Sequence, residues 1–286
     1  MPPGQPKRCV VYVQANQAPR RKPVTVPLLQ EMKAAGQRIV MLTAYDASFA
    51  THLEAAGVDV ALVGDSLGNV VQGRRTTLPV TLNDIVYHTA AVARGLEATL
   101  LMADVPFMAD RDVARALEAG ARLVGEAGAA MVKIEGAAPH ILEAIGALVA
   151  HAIPVCAHLG LTPQSVHKFG GFRIQGREDE AAEHILAQGL AVQAAGASLL
   201  VLEGVPRALG KRLAASLVIP VIGIGAGPDC DGQVLVVYDL LGITPGKRPK
   251  FSKDFLAGNG SVAAAIAAYA SDVRSGAFPT PEHCFD

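Results

Sequence analysis

The chain has 286 residues, of which 51% are apolar and 18% charged, and its formal net charge is −1. That apolar content fills a large core and excludes wholesale disorder. A charge balance so close to neutral argues against a nucleic-acid binder held mainly by phosphate contacts.

In chain order, the first feature is a basic stretch. Lys7, Arg8, Arg20, Arg21 and Lys22 all precede the first acid, Glu31. Residues 1–23 are therefore expected to be a mobile extension, dispensable for chemistry, and residues 24–286 a single catalytic domain. The extension has no apolar stretch and cleavage site in the order of an export signal. Apolar runs such as Leu199–Leu202 and Val218–Ile224 fall far short of the ~20 residues of a membrane-spanning helix. Cys9, Cys156, Cys230 and Cys284 lack CxxC spacing, which suggests neither a zinc ribbon nor a disulfide framework and favours a reducing compartment.

From Val24 onward one pattern repeats. A short β-branched run ends in a polar residue, and an Ala-rich stretch with helical spacing follows. The runs are 39–44, 58–64, 99–105, 130–136, 153–160, 198–204, 219–227 and 233–239. Runs of this length without polar alternation describe strands covered on both faces. Intervening segments such as 110–127 and 179–195 are long enough for crossover helices. Ala56-Gly57, Ala127-Gly128 and Ala195-Gly196 supply helix stops before the next strand. Eight such units predict an α/β protein with a (β/α)8 barrel, the TIM-barrel architecture. The alternative, a doubly wound open sheet, would have polar or short edge strands, and none of the eight runs is of that kind. A last helix is expected over 261–275, then a tail over 276–286 on the surface or on a neighbouring subunit.

The ionisable residues fall where such a barrel does its chemistry, at the carboxyl ends of the strands. Asp65-Ser66, Asp104, Lys133 with Glu135, His158, and Glu203 each close one of the runs. Each alone has a plain structural reading: Asp65 and Ser66 as helix caps, Lys133 and Glu135 as an ion pair on one strand face, His158 as a hydrogen-bonded core residue. Their coincidence at one rim points to a shared active site. Asp65, Asp104 and Glu135, with no thiolate or imidazole cluster, suit a hard cation such as Mg²⁺, which keeps waters that a chelating 2-oxo acid can replace. Such an ion acidifies the C–H beside the carbonyl, and Lys133 adds positive charge near the substrate carboxylate. Glu203, flanked by Leu200-Val201-Leu202 and Gly204-Val205-Pro206, is the free carboxylate whose apolar surroundings favour the raised pKa of a base.

Other motifs fail. Gly223-Ile224-Gly225-Ala226-Gly227 is followed by Pro228, against a dinucleotide fingerprint, and 242–247 lacks P-loop spacing. No GxSxG supports a serine triad. Phe169-Gly170-Gly171-Phe172, followed by Gln175-Gly176-Arg177, reads as either a substrate-covering flap or a plain connector.

Residues 24 to about 285 resemble the ketopantoate hydroxymethyltransferase family. The resemblance rests on ordered blocks that include Thr43-Ala44-Tyr45-Asp46, Val63-Gly64-Asp65-Ser66-Leu67-Gly68 and Ala103-Asp104-Val105-Pro106-Phe107-Met108. Met131-Val132-Lys133-Ile134-Glu135-Gly136 and His158-Leu159-Gly160-Leu161-Thr162-Pro163-Gln164-Ser165 also match. It implies a (β/α)8 barrel that assembles as a cytoplasmic homo-oligomer, commonly a decamer, without nucleic-acid or membrane partners. The implied reaction moves a one-carbon unit from 5,10-methylenetetrahydrofolate to 3-methyl-2-oxobutanoate, giving 2-dehydropantoate. By the same resemblance Asp65, Asp104 and Glu135 are expected to hold one Mg²⁺ per subunit, directly or through water. Asp65, Ser66, Asp104 and Lys133 would contact the oxo acid, Glu203 would accept the proton, and His158 would be accessory. Rival readings are a lyase of the isocitrate-lyase type, whose Lys-(Lys/Arg)-Cys-Gly-His block is replaced here by Cys156-Ala157-His158; a Schiff-base aldolase with Lys133 as nucleophile; and a catalytically dead scaffold.

Overall fold

The apolar runs become eight parallel strands, β1 (Ile39–Thr43), β2 (Val60–Val63), β3 (Leu100–Asp104), β4 (Met131–Glu135), β5 (Val155–Gly160), β6 (Leu199–Glu203), β7 (Val221–Ile224) and β8 (Gly232–Leu235). In the computed structural model they close in sequence order, β8 pairing with β1 at Ile39↔Gly232. The structure describes residues 21–244 and 246–286. The expected extension therefore lies almost wholly outside the described residues. Its described end, Arg21, donates to the carbonyls of Gly57 and Val58, both at 2.6 Å, and to Thr99 Oγ1 at 3.1 Å.

Alternation along each strand sorts the side chains into two sets. Val40, Leu42, Ala61, Leu101, Val132 and Leu200 face outward against the helices. Met41, Val60, Met102, Met131, Cys156 and Val201 face inward. The inward set is capped at its amino end by the helix Val26–Ala34, whose Leu29 and Met32 join the interior. Thr25 caps that helix, its Oγ1 accepting from Leu28 N at 3.4 Å. Lys33 pins it by donating to the carbonyls of Ala214 and Ile219, at 2.8 and 3.0 Å, and to Asp231 at 2.8 Å. With the floor sealed, the carboxyl rim is left for the site.

Helices Val113–Gly125 and Asp179–Ala194 are the expected crossovers, and the Ala-Gly pairs end theirs with Gly57, Gly128 and Gly196 at positive φ. Two expectations ran too far. β7 stops at Ile224, because Gly225 turns the chain at φ 61°. β8 stops at Leu235, and Val237–Leu240 is a single helical turn rather than strand, with Val237 N donating to Thr43 Oγ1 at 2.9 Å. The last helix runs Val262–Ser275 with Ser261 as its cap. The tail after it packs on its own barrel, with Phe278 and Cys284 buried and Arg207 N bonded to Phe285 O at 2.9 Å.

Candidate active site

The inward parity of the strands carries straight into the rim. On β3 the inward residues run Leu100, Met102, Asp104; on β4, Met131, Lys133, Glu135; on β5, Cys156 then His158; on β6, Leu199, Val201, Glu203. The polar residues are thus the last inward position of each strand, where the hydrophobic plug gives way to a cavity of about 490 Å³. Register sets Asp104 beside Lys133, Glu135 beside His158 and Gly160 beside Glu203. Asp65 and Ser66 enter from the turn after β2. All seven residues singled out from the sequence line this one cavity.

The plain readings of several of them do not hold. Neither Asp65 nor Ser66 caps the short helix Leu67–Val70 through its side chain; Ser66 Oγ instead lies 2.8 Å from Tyr45 Oη. Lys133 pairs with Asp104 across strands, Nζ to Oδ1 at 2.8 Å, rather than with Glu135 on its own strand. Its Nζ is also 3.2 Å from His158 Nδ1. An ammonium can only donate, so Nδ1 accepts and the proton of a neutral imidazole lies on Nε2. That nitrogen stands 3.3 Å from Glu203 Oε2. His158 thereby separates Glu203 from the other carboxylates.

Each of the three clustered carboxylates has one oxygen tied down. Asp104 Oδ2 accepts from Asp65 N at 2.8 Å, Asp65 Oδ2 from Gln164 Nε2 at 3.0 Å, and Glu135 Oε2 from Gln164 N at 3.0 Å. Asp104 Oδ1 faces the Lys133 ammonium at 2.8 Å, whereas Glu135 Oε1 is buried without a hydrogen-bond partner. Buried acceptors left in that state are costly and await a ligand.

The electrostatics follow from this crowding. Burial, then the charges of Asp104 and Glu135, push the Asp65 carboxyl well above its usual range. Burial pushes Glu135 up to about 8, with Lys133 pulling the other way. Burial works against the charge on Lys133, but Asp104, Glu135 and Asp65 outweigh it and keep the ammonium charged. Burial and then Lys133 hold His158 below its ordinary value, so its ring is neutral. Glu203 is raised chiefly by burial. One buried cation among three carboxylates leaves the cluster short of positive charge.

No group of three or more His, Cys, Asp or Glu side chains among the described residues is set to hold a metal ion. Mg²⁺, however, is usually bound through one or two carboxylates with water completing its shell. Three carboxylates that share one buried ammonium, with Glu135 Oε1 left without a partner, offer oxygen-only donors that fit that ion.

Large apolar side chains also line the cavity: Phe172 and Ile174 from the segment read as flap or connector, together with Phe251 and Phe285. Phe172 remains 60% exposed. Two contributors escaped the sequence reading. Gln164 carries no charge and braces two carboxylates at once. Phe285 comes from the tail, and only tertiary packing brings it to the rim. Two signals pointed to these residues: the position of Gln164 in the loop directly after β5, and the aromatic ending of the tail.

The family model for ketopantoate hydroxymethyltransferase matches residues 23–281. A relative from Alkalilimnicola ehrlichii, named 3-methyl-2-oxobutanoate hydroxymethyltransferase, is 57% identical over 93% of this chain and 95% of its own. One of the same name from Xanthomonas euvesicatoria pv. vesicatoria is 59% identical over 92% and 97%. Among solved structures, oxaloacetate acetylhydrolase overlays with a TM-score of 0.59 at 15% identity, covering 91% of this chain and all of that one. The 2,3-dimethylmalate lyase of the PEP mutase/isocitrate lyase superfamily gives 0.55 at 16%, over 73% and 80%. These overlays speak for the barrel alone. On the family model and the relatives sharing more than half of its residues, the chain belongs to the ketopantoate hydroxymethyltransferase family.

Proposed function

We propose that the chain transfers a hydroxymethyl group from 5,10-methylenetetrahydrofolate to 3-methyl-2-oxobutanoate, forming 2-dehydropantoate, with Glu203 as the base. The names carried by its relatives support the reaction. The observation that carries the mechanism is the separation of Glu203 from Asp65, Asp104 and Glu135 by the neutral ring of His158. Carboxylates in two environments suit two tasks.

Asp65, Asp104 and Glu135 would hold Mg²⁺, which supplies polarisation of the oxo acid's carbonyl when bound. Lys133, kept charged by its neighbours, attracts the substrate carboxylate. Ser66, oriented by Tyr45, offers a hydrogen bond at the same end. Glu203, raised by burial, takes the proton from the branched carbon, and the electron pair so released attacks the methylene carbon of the donor. One C–N bond of the donor breaks as the C–C bond forms, its nitrogen receiving the proton held by Glu203; the oxygen of water then replaces the second nitrogen on that carbon, which takes a proton from the water, and tetrahydrofolate leaves. His158 Nε2–H faces the oxygen of Glu203 and orients it toward the substrate.

The test is deuterium exchange at the branched carbon of 3-methyl-2-oxobutanoate, with and without Mg²⁺ and with no folate present. Rapid exchange that requires both Mg²⁺ and Glu203 supports the reading. Exchange insensitive to chelator, or trapping of Lys133 by borohydride, would replace it with the Schiff-base alternative.

A further inference from the structure

Charge is unevenly shared around the cavity. β2 to β6 supply Asp65, Asp104, Lys133 with Glu135, His158 and Glu203 at or just after their carboxyl ends. The sector of β7, β8 and β1 carries no charged strand end, its last residues being Ile224, Leu235 and Thr43. One carboxylate nevertheless lines the cavity from that sector. Asp239 sits on the helical turn Val237–Leu240, directly after β8. Because the strands close in sequence order, β8 lies across the barrel from β4. Asp239 is thus opposite Lys133 and Glu135, and the mechanism above leaves it unused.

The chain holds Asp239 as a fixed acceptor. Thr43 Oγ1 takes Val237 N at 2.9 Å at the start of the turn, and Gly242 N donates to Asp239 O at 3.1 Å at its end. The Thr244 hydroxyl donates to Asp239 Oδ1 at 2.6 Å. Oδ2 has no hydrogen-bond partner among the described residues, and neither oxygen has a cation. Arg248 makes its ion pair with Asp254 instead, at 3.6 Å. Asp239 is only 6% exposed. Burial raises its proton affinity, with Thr244 and then Arg248 opposing. A buried carboxylate with no cation is unfavourable until N–H donors reach it.

The two oxygens lie side by side, one with a lone pair left and the other with both. They match a ligand edge that presents two parallel N–H bonds. Of the two substrates in the reading above, only the one-carbon donor has such an edge. Its 2-amino-4-oxopyrimidine ring is a neutral cyclic guanidine, with a ring N–H beside an exocyclic amine. The oxo acid brings only acceptors and a negative charge, which Asp239 repels. Thr77 Oγ1, buried without a partner, lines the same cavity and offers the ring a further hydrogen bond. Val70, Leu235 and Val236 give the cavity apolar surface for a flat heterocycle.

We propose that Asp239, braced by Thr244, recognises the cyclic-guanidine edge of the one-carbon donor, so that the two substrates meet from opposite sides of the barrel. The proposal rests on the folate reading above and adds to it the residue that selects the ring. The same carboxylate keeps the oxo acid on the side of Lys133.

The experiment is calorimetric titration of tetrahydrofolate, and of its analogue with methyl in place of the 2-amino group, into the wild-type chain and into D239N. The analogue leaves one carboxylate oxygen without its donor, so the wild type is expected to bind tetrahydrofolate about 10- to 100-fold more tightly. In D239N one oxygen becomes a donor that opposes the ligand's own, and the two affinities are expected to fall within about threefold of each other. A purely structural role for Asp239 would weaken both ligands alike and leave their ratio standing. Equal affinities in the wild type, which needs no variant, or an undiminished ratio in D239N would overturn the proposal. Binding is read without turnover. A wild-type chain that prefers tetrahydrofolate yet transfers no one-carbon unit would sink the functional reading and spare Asp239, while one that transfers the unit but binds both ligands equally would do the reverse.

Discussion

Gln164 offers the sharpest test of how the rim is built. Its side-chain amide donates to Asp65 Oδ2 at 3.0 Å and to Val105 O at 3.1 Å, while its backbone N–H donates to Glu135 Oε2 at 3.0 Å. Gln164→Met keeps the length of the side chain and the backbone contact, and removes both amide bonds. The lost bond to a charged acceptor is of the order of 1.5–3 kcal/mol and the neutral one about 1 kcal/mol. Gln164 is only half-buried, so water repays part of this and a net loss of about 1–2 kcal/mol is expected. For a domain of this size that amounts to a fall of about 2–8 °C in Tm. The larger effect falls on the ion. Asp65 loses the partner that fixes one oxygen and leaves the other for a ligand, and removal of such supporting bonds typically weakens metal binding about 10- to 100-fold. Titration of Mg²⁺ in the presence of 3-methyl-2-oxobutanoate, with Tm measured alongside, separates the two losses. A variant whose Mg²⁺ affinity stays within about twofold of wild type while Tm drops would make Gln164 a stabilising residue only, and the argument that it holds one oxygen of Asp65 so that the other can meet a ligand would fail.

Four further outcomes follow from the same geometry. Glu203→Gln is expected to slow deuterium exchange about 10²- to 10⁴-fold while oxo-acid binding persists; wild-type exchange rates in that variant would remove Glu203 from the base role. Because burial raises Glu203, exchange in the wild type should decline on acidification at a pH above the ordinary glutamate value of about 4.3. In the metal-free chain, Glu135 raised from 4.5 to about 8 means the folded state keeps a proton that the unfolded state releases. Its contribution is intact below about 4.5 and is lost as pH rises toward 8, so Tm of wild type minus that of Glu135→Gln should fall across that window, and a flat difference would contradict the buried, crowded site. Finally, Gly160 has φ 86°, and a Cβ there would collide with the carbonyl of Glu203. Gly160→Ala should therefore cost more activity than stability alone explains, since the backbone that carries the base must shift; full kcat at a temperature where the variant is folded would refute this.

The barrel and most of its rim were readable for one physical reason. A strand buried on both faces must be apolar throughout, so a charged residue ending such a run has nowhere to go but the open end of the barrel. Asp104, Glu135 and Glu203 announce themselves in this way, and the alternation that puts Met102, Met131 and Val201 inside puts those three there as well. The same rule misled at β8, where Val236 and Val237 extend the apolar pattern but Val237 begins a helical turn, its N–H taken by Thr43 from a strand nearly two hundred residues earlier. Local pattern cannot register a partner so remote. Lys133 is the instructive middle case. Spacing paired it with Glu135 on its own strand, yet the register between β3 and β4 sets Asp104 alongside it at 2.8 Å. Its ammonium then faces His158 Nδ1 rather than solvent, and this fixes the imidazole proton on the side of Glu203. The position of the base is thus set by a chain of contacts through Asp104, Lys133 and His158, of which the sequence displays the members but not the order. That order also explains why the base can stay free while three other acids crowd nearby: the neutral ring stands between Glu135 and Glu203, 3.4 Å from one and 3.3 Å from the other, so the crowding that loads Glu135 with a proton reaches Glu203 only across an uncharged spacer.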